Sequence, residues 1–201
     1  AATAEEESSG KNGVAILQDE FANVDFALVG EPTQMQLAVA EKGLVVFDCV
    51  AHGKAGHAAR NEGVNAIYLA IADIEKVTQF QFERISPLLG SVKMTVTQIE
   101  AGFQHNVVPD TCKFVMDVRT NECYKNEEIV EIVDNLLQAD VTPRSLRLNS
   151  SGISLDHPFV KRAKELNIEC YGSPTLSDQS LMTCQSVKMG PGDSARSHTA
   201  N

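Results

Sequence analysis

Apolar and polar positions along this chain fall into two rhythms, and the rhythm changes twice. Residues 8–20 carry Ser8, Ser9 and Gly10 and then Val14, Ile16 and Leu17, which predicts a turn leading into a short helix that ends near Phe21. A short apolar run from Phe26 to Val29, closed by Gly-Glu-Pro-Thr, predicts a buried strand that delivers a loop at its carboxyl end. In open α/β sheets that end is where ligands bind.

From about Leu37 to Arg147 the pattern is different. Residues 43–51 and 91–99 are rich in β-branched residues, the second run clearly alternating, and residues 112–118 give a third strand. Val64, Ile67, Tyr68, Ile71, Ile74 and Val77 recur at three and four, the stripe of an amphipathic helix. A second helix is expected from Asn126 as N-cap, with Glu127 and Glu128 in its first turn and Ile129, Ile132, Val133, Leu136 and Leu137 facing inward. A weak fourth strand is expected around 145–148. The order β-α-β-β-α-β predicts a ferredoxin-like layer, one sheet covered on one face by two helices.

After Asn149 the α/β character returns. Asp156 is the expected cap of a helix with Pro158 in its first turn, and residues 168–171 and 186–189 read as short strands. The fold class expected is therefore α/β, a partial catalytic domain (residues 1–37 and 149–201) with an inserted α+β lid or dimerisation domain (residues 38–148).

Composition narrows the functional classes. The chain has 201 residues and a formal net charge of −10, with no Lys/Arg cluster in the sequence, which argues against a nucleic-acid partner. No run approaches the roughly 18 apolar residues of a membrane span, no basic-plus-apolar leader is seen, and a soluble, cytoplasmic protein is expected. Five cysteines without CxxC spacing predict reduced thiols rather than a disulfide framework.

Three features carry candidate chemistry. Glu5, Glu6 and Glu7 are adjacent carboxylates that raise one another's cost of ionisation, and a divalent cation would relieve it. Glu31 follows a buried strand and is fixed by Gly and Pro, and His198 follows a Gly-Pro-Gly loop. Taken singly each reads as a solvated turn or a surface histidine; together they suggest a metal site.

The ordered strings Thr3-Ala-Glu-Glu-Glu, Val29-Gly-Glu-Pro-Thr, Lys42-Gly, Gly56-His-Ala-Ala, His105-Asn-Val-Val-Pro, Asp117-Val-Arg, Ser177-Asp and Gly190-Pro-Gly…His198 resemble the zinc-dependent aminoacylase and carboxypeptidase family. The last two stretches look most like its acetylornithine deacetylases. The resemblance implies two zinc ions per complete site, cobalt being an alternative, with Glu7, Glu31 and His198 as ligands and Glu6 as general base. It implies that His57, on the lid of a homodimer, stabilises an oxyanion in the neighbouring subunit's site, and that Arg119, Asn106 and Lys42 hold the substrate. The implied reaction is hydrolysis of a small N-acyl amino acid, N-acetylornithine or N-succinylornithine, in arginine biosynthesis. The family's His-x-Asp motif and bridging Asp are not found among these residues, so three of five ligands are expected and weak metal binding with them. The alternative is a non-catalytic lid and dimerisation module.

Overall fold

The computed structural model describes residue 10 and residues 12–196. A 3₁₀ turn at Val14–Leu17 runs into helix α1 (Gln18–Phe21), followed by strands β1 (Phe26–Val29) and β2 (Leu37–Glu41). Then come β3 (Gly43–His52), β4 (Gly56–His57), helix α2 (Ala66–Gln79), β5 (Lys93–Ala101), β6 (Val107–Val108), β7 (Thr111–Thr120), helix α3 (Asn126–Leu136) and β8 (Asp140–Pro143). The remaining elements are β9 (Ser151–Gly152), helix α4 (Pro158–Glu165), β10 (Cys170–Ser173) and β11 (Gln185–Lys188).

Two sheets result. The first has the order β1-β11-β2-β10 with β9 added against β2; β1 and β11 are parallel, as are β2 and β10, while β11 meets β2 antiparallel. The second is antiparallel throughout, in the order β5-β7-β3-β8, and lies in sequence between the two stretches that build the first. With α2 and α3 on one face, it is the ferredoxin-like layer that the β-α-β-β-α-β order predicts.

Alternation explains the layer. In β3, Val45, Phe47, Cys49 and Ala51 are buried while Leu44, Val46, Asp48 and Val50 take the other face. In β7, Cys112, Phe114, Met116 and Val118 are buried in the same way. Ala66, Ala70 and Val77 of α2 and Ile129 and Val133 of α3 close this core. Asp73, buried in α2, accepts from the backbone N–H groups of Gln138 (3.0 Å) and Ala139 (2.8 Å) and so clamps α2 to the end of α3.

Four local expectations are corrected. Asn126 is the first residue of α3, not its cap. Its buried amide donates to the carbonyls of Leu146 (3.0 Å) and Leu148 (3.1 Å), and Glu128 reaches back to the Lys125 N–H (2.8 Å) instead. The fourth strand lies at Asp140–Pro143, not 145–148; Pro143 is tolerated there because β8 is an edge. His157, not Asp156, caps α4, because Pro158 occupies the first helical position and the residue before it becomes the cap. Strand β2 was not expected as a separate element, since all five of its residues are buried and no alternation marks it.

The chain passes between the sheets twice, at Lys42–Gly43 and near Asn149–Ser150, and the two passages run side by side. The Leu44 N–H donates to the Leu148 carbonyl (2.9 Å), and the Ser150 hydroxyl donates to the Glu41 carbonyl (2.7 Å). Gly43 is required there: a Cβ would lie 2.4 Å from Thr120 Oγ1 and 2.5 Å from the Ser150 nitrogen. A third contact comes from the Ser86–Gly90 turn. A Cβ on Gly172 of β10 would lie 2.2 Å from the Leu88 carbonyl oxygen, so the turn sits directly on that strand. No helix among the described residues is long and apolar enough to cross a membrane.

Candidate functional site

The first group of interest surrounds Glu31. Strand β1 ends at Val29, and the Gly30-Glu31-Pro32-Thr33 loop is stitched to the Gly190-Pro191-Gly192 loop that follows β11. Thr33 and Met35 N–H groups both donate to the Gly190 carbonyl (3.1 and 2.9 Å), the Gln34 N–H donates to the Gly192 carbonyl (2.7 Å), and the Gly190 N–H donates to Thr33 Oγ1 (3.1 Å). Gly190 approaches so closely that a Cβ would lie 2.6 Å from the Glu31 carbonyl oxygen. The same stitching holds Gln34 and Met35 at φ of 55° and 61°, left-handed conformations that are unfavourable for both residues.

Glu6, Glu7 and His198 lie outside the described residues. Among the described residues no three His, Cys, Asp or Glu side chains gather to hold a metal ion. What is described fits one in a single respect: the segment that leads to His198 starts against the loop that carries Glu31, through Gly190, where a side chain would force the two loops apart. Carboxylates and an imidazole are a donor set suited to zinc.

A second group surrounds His57. Strand β4 pairs with β6, His57 opposite Val107, and the Ala58 N–H donates to the Asn106 carbonyl (3.0 Å). His57 Nδ1 accepts from the Ala59 N–H (3.1 Å). A neutral ring held this way carries its proton on Nε2, which is left as an exposed donor. Gly56 allows the tight turn, since a Cβ would lie 2.3 Å from the Glu62 carbonyl oxygen. Beside it a cleft of about 520 Å³ is lined by Ala58, Asn65, Ile67, Phe103, His105 and Val107 among others. Its rim residue Phe103 is 82% exposed.

The third group lies at the opposite end of the four-stranded sheet. Lys42 Nζ donates to the Ser91 carbonyl (2.8 Å), and Arg119 holds Asp117 with Nε (2.8 Å) and Nη2 (3.0 Å). Burial lowers the Lys42 pKa, with the positive charges of Lys93 and Arg119 adding to the effect. Arg119 and Lys42 are thus brought together, but Asn106 is not with them. It stands with His57, beyond the far end of the 10-residue strand β3, about 30 Å away along the strand. His52, at that far end, pairs with Asp140 on the surface (2.9 Å).

One charged pair escaped the sequence reading. Glu41, the last residue of β2, and Lys188, the last of β11, are 0% and 2% exposed, and Lys188 Nζ lies 3.1 Å from Glu41 Oε2. Ser177 Oγ donates to the same oxygen (2.7 Å), and Lys188 also donates to the Thr175 carbonyl (2.9 Å). Burial raises the Glu41 pKa above its ordinary 4.5, an effect opposed by Lys188 and Ser177. The signal in the sequence is one acidic residue closing the run Leu37-Ala-Val-Ala, a run without the alternation that marks a half-buried strand. Ser177 also caps the 3₁₀ turn Asp178–Leu181.

Known proteins place this arrangement. The peptidase dimerisation domain model matches residues 39–143. A succinyl-diaminopimelate desuccinylase from Buchnera aphidicola is 28% identical over 147 residues, covering 67% of this chain and 39% of that protein. A peptidase M20 domain-containing protein from Schizosaccharomyces pombe is 28% identical over 181 residues, covering 90% of this chain and 44% of its own length. The chain spans about two-fifths of the length of these curated relatives. Among solved structures, a tripeptidase from Staphylococcus aureus shares the fold with a TM-score of 0.76 at 20% identity, over 94% of this chain and 54% of that one. The family match covers more than half of the residues, and the chain belongs to the M20 peptidase dimerisation-domain family.

Proposed function

We propose that the protein is a metal-dependent amide hydrolase that removes the acyl group from an N-acyl amino acid, of the N-acetylornithine or N-succinylornithine class, and that it works as a homodimer. The observation that carries this reading is the separation of His57 and Asn106 from Lys42 and Arg119 along β3. Within one chain the oxyanion donor and the carboxylate contacts lie too far apart to serve one small substrate. Two chains related by a two-fold axis can bring one chain's His57 and Asn106 to the other's Arg119 and Lys42. The edge strand β5 suits such pairing: its outer side has no partner among the described residues, and Ile99 on it, with Tyr68 and Ile71 on α2, is exposed by 52–70%.

Glu7, Glu31 and His198 would hold the metal. Zinc in such a site, or cobalt in its place, supplies Lewis acidity that polarises an amide carbonyl and makes water easier to ionise. Glu6 would take the proton from the attacking water and return it to the leaving amine. The Nε2–H of His57, set by the Ala59 hydrogen bond, would donate to the oxygen on which negative charge develops. Arg119 uses two of its five N–H groups on Asp117 and keeps the others for a substrate carboxylate.

Subunit mixing tests the reading. His57→Ala and Arg119→Gln should each abolish hydrolysis of N-acetylornithine and N-succinylornithine. Re-associating the two inactive variants at equal amounts should restore about a quarter of the original activity, because half the dimers are mixed and each contains one intact site. No recovery would mean that His57 acts within its own chain or not at all. Absence of activity and of bound zinc in the unaltered protein, with the dimer intact, would leave a dimerisation module.

A further inference from the structure

Three cations meet at the Lys42 end of the four-stranded sheet, and one carboxylate offsets them. In the β5–β7 ladder Lys93 stands directly opposite Arg119, and in the β3–β7 ladder Arg119 stands opposite Leu44, two residues from Lys42. Side chains opposite each other in an antiparallel pair have Cβ atoms about 5 Å apart, so Lys93 and Arg119 share one face. Burial lowers the Lys42 pKa, and the positive charges of Lys93 and Arg119 add to the effect, so Lys42 lies within reach of both. Asp117 is engaged by the Arg119 fork. Among the described residues neither Lys42 nor Lys93 forms an ion pair; Lys42 is held by the Ser91 carbonyl alone.

Like charges opposite each other on a sheet are destabilising, and this chain has 27 acidic residues against 17 basic ones with which to neutralise them. The patch nevertheless retains an excess of two positive charges. A substrate with one carboxylate would leave half of that excess unanswered, whereas two carboxylates balance it. Lys93 is exposed at the start of β5.

We infer that Lys93 is a specificity residue and that the substrate carries a second carboxylate, on its acyl group or on its amino-acid side chain, in addition to the α-carboxylate. This rests on the reading of Lys42 and Arg119 as carboxylate contacts. It places the substrate among N-dicarboxylyl amino acids or N-acyl acidic amino acids, and away from N-acetylornithine, which offers one carboxylate and an ammonium group that the patch repels.

Calorimetric titration of the purified protein with N-succinylornithine, N-acetylglutamate and N-acetylornithine tests it without reference to turnover. At least one of the two dicarboxylates should bind more tightly than N-acetylornithine. Lys93→Gln should weaken that ligand about tenfold more than N-acetylornithine, and Lys93→Arg should restore most of the loss. Which dicarboxylate responds tells whether the second carboxylate belongs to the acyl group or to the side chain. If Lys93→Gln affects all three ligands equally, or none, the inference is overturned while the carboxylate site stands. Arg119→Gln should weaken all three; if it weakens none, the underlying reading fails and the inference with it.

Discussion

Glu41 and Lys188 show how one buried pair constrains the site around it. A carboxylate and an ammonium group removed from water are tolerable only together, and here each is also hydrogen-bonded, to Ser177 and to Thr175. Lys188 precedes the loop that grips Glu31, and Glu41 precedes the passage into the second sheet, so the pair ties those two points of the chain together. Lys188→Met should therefore cost about 3–5 kcal/mol in urea unfolding at neutral pH, because it strands a buried carboxylate. Losing the cation drives the Glu41 pKa further above 4.5 in the folded state, so the folded variant binds a proton that the unfolded chain gives up. The stability from that proton is present in acid and is lost as pH rises through the folded-state pKa. The deficit of Lys188→Met should thus be smaller at pH 5 than at pH 8; an equal deficit at both would mean that Glu41 is not charged in the native protein.

At the scale of elements, what could be read from the sequence was set by periodicity. The alternation in β3 and β7 and the three-and-four spacing in α2 identify the ferredoxin-like layer, because each of these elements has one face on the core and one away from it. Strand β2 has no such asymmetry, and Glu41 was hidden with it. Cap positions differ from expectation for a related reason: Asn126 has the chemistry of a cap, but tertiary contacts recruit its amide to the carbonyls of Leu146 and Leu148. Asn65 is a cap in the ordinary sense, accepting from the Ile67 N–H at 2.9 Å. The two asparagines should respond differently. Asn65→Ala should cost about 1 kcal/mol, and Asn126→Ala about 3 kcal/mol because it removes three hydrogen bonds of a buried amide, to the carbonyls of Leu146 and Leu148 and from the Thr120 hydroxyl. Equal costs in chemical denaturation would show that Asn126 acts as no more than a helix terminus. Of the candidate site, residue types and their order were legible, and the grouping was not. Asn106 and Arg119 are 13 positions apart in sequence, yet they stand at opposite ends of one sheet because β7 runs its full 10 residues between them.

For the whole molecule, the free edge of β5 is the feature with the largest consequence for assembly. A nine-residue strand whose outer side has no partner among the described residues invites a second copy, and the family to which the chain belongs carries a dimerisation domain at this place. Ile99→Lys should shift sedimentation from dimer to monomer and leave the circular dichroism of the chain unchanged, since Ile99 is 55% exposed and outside the core. A dimer that persists would move the interface off this edge. Orientation of the two sheets within one chain depends on something smaller. Only a hydrogen stands on Gly172 where the Leu88 carbonyl rests, on the strand next to the Glu41 end of β2. Any side chain there would act as a wedge driven in beside the pivot, where a displacement of an ångström or two swings the distant His57 end through several times that distance. The absence of one methyl group thus sets where the far tip of the molecule, with His57 on it, comes to point.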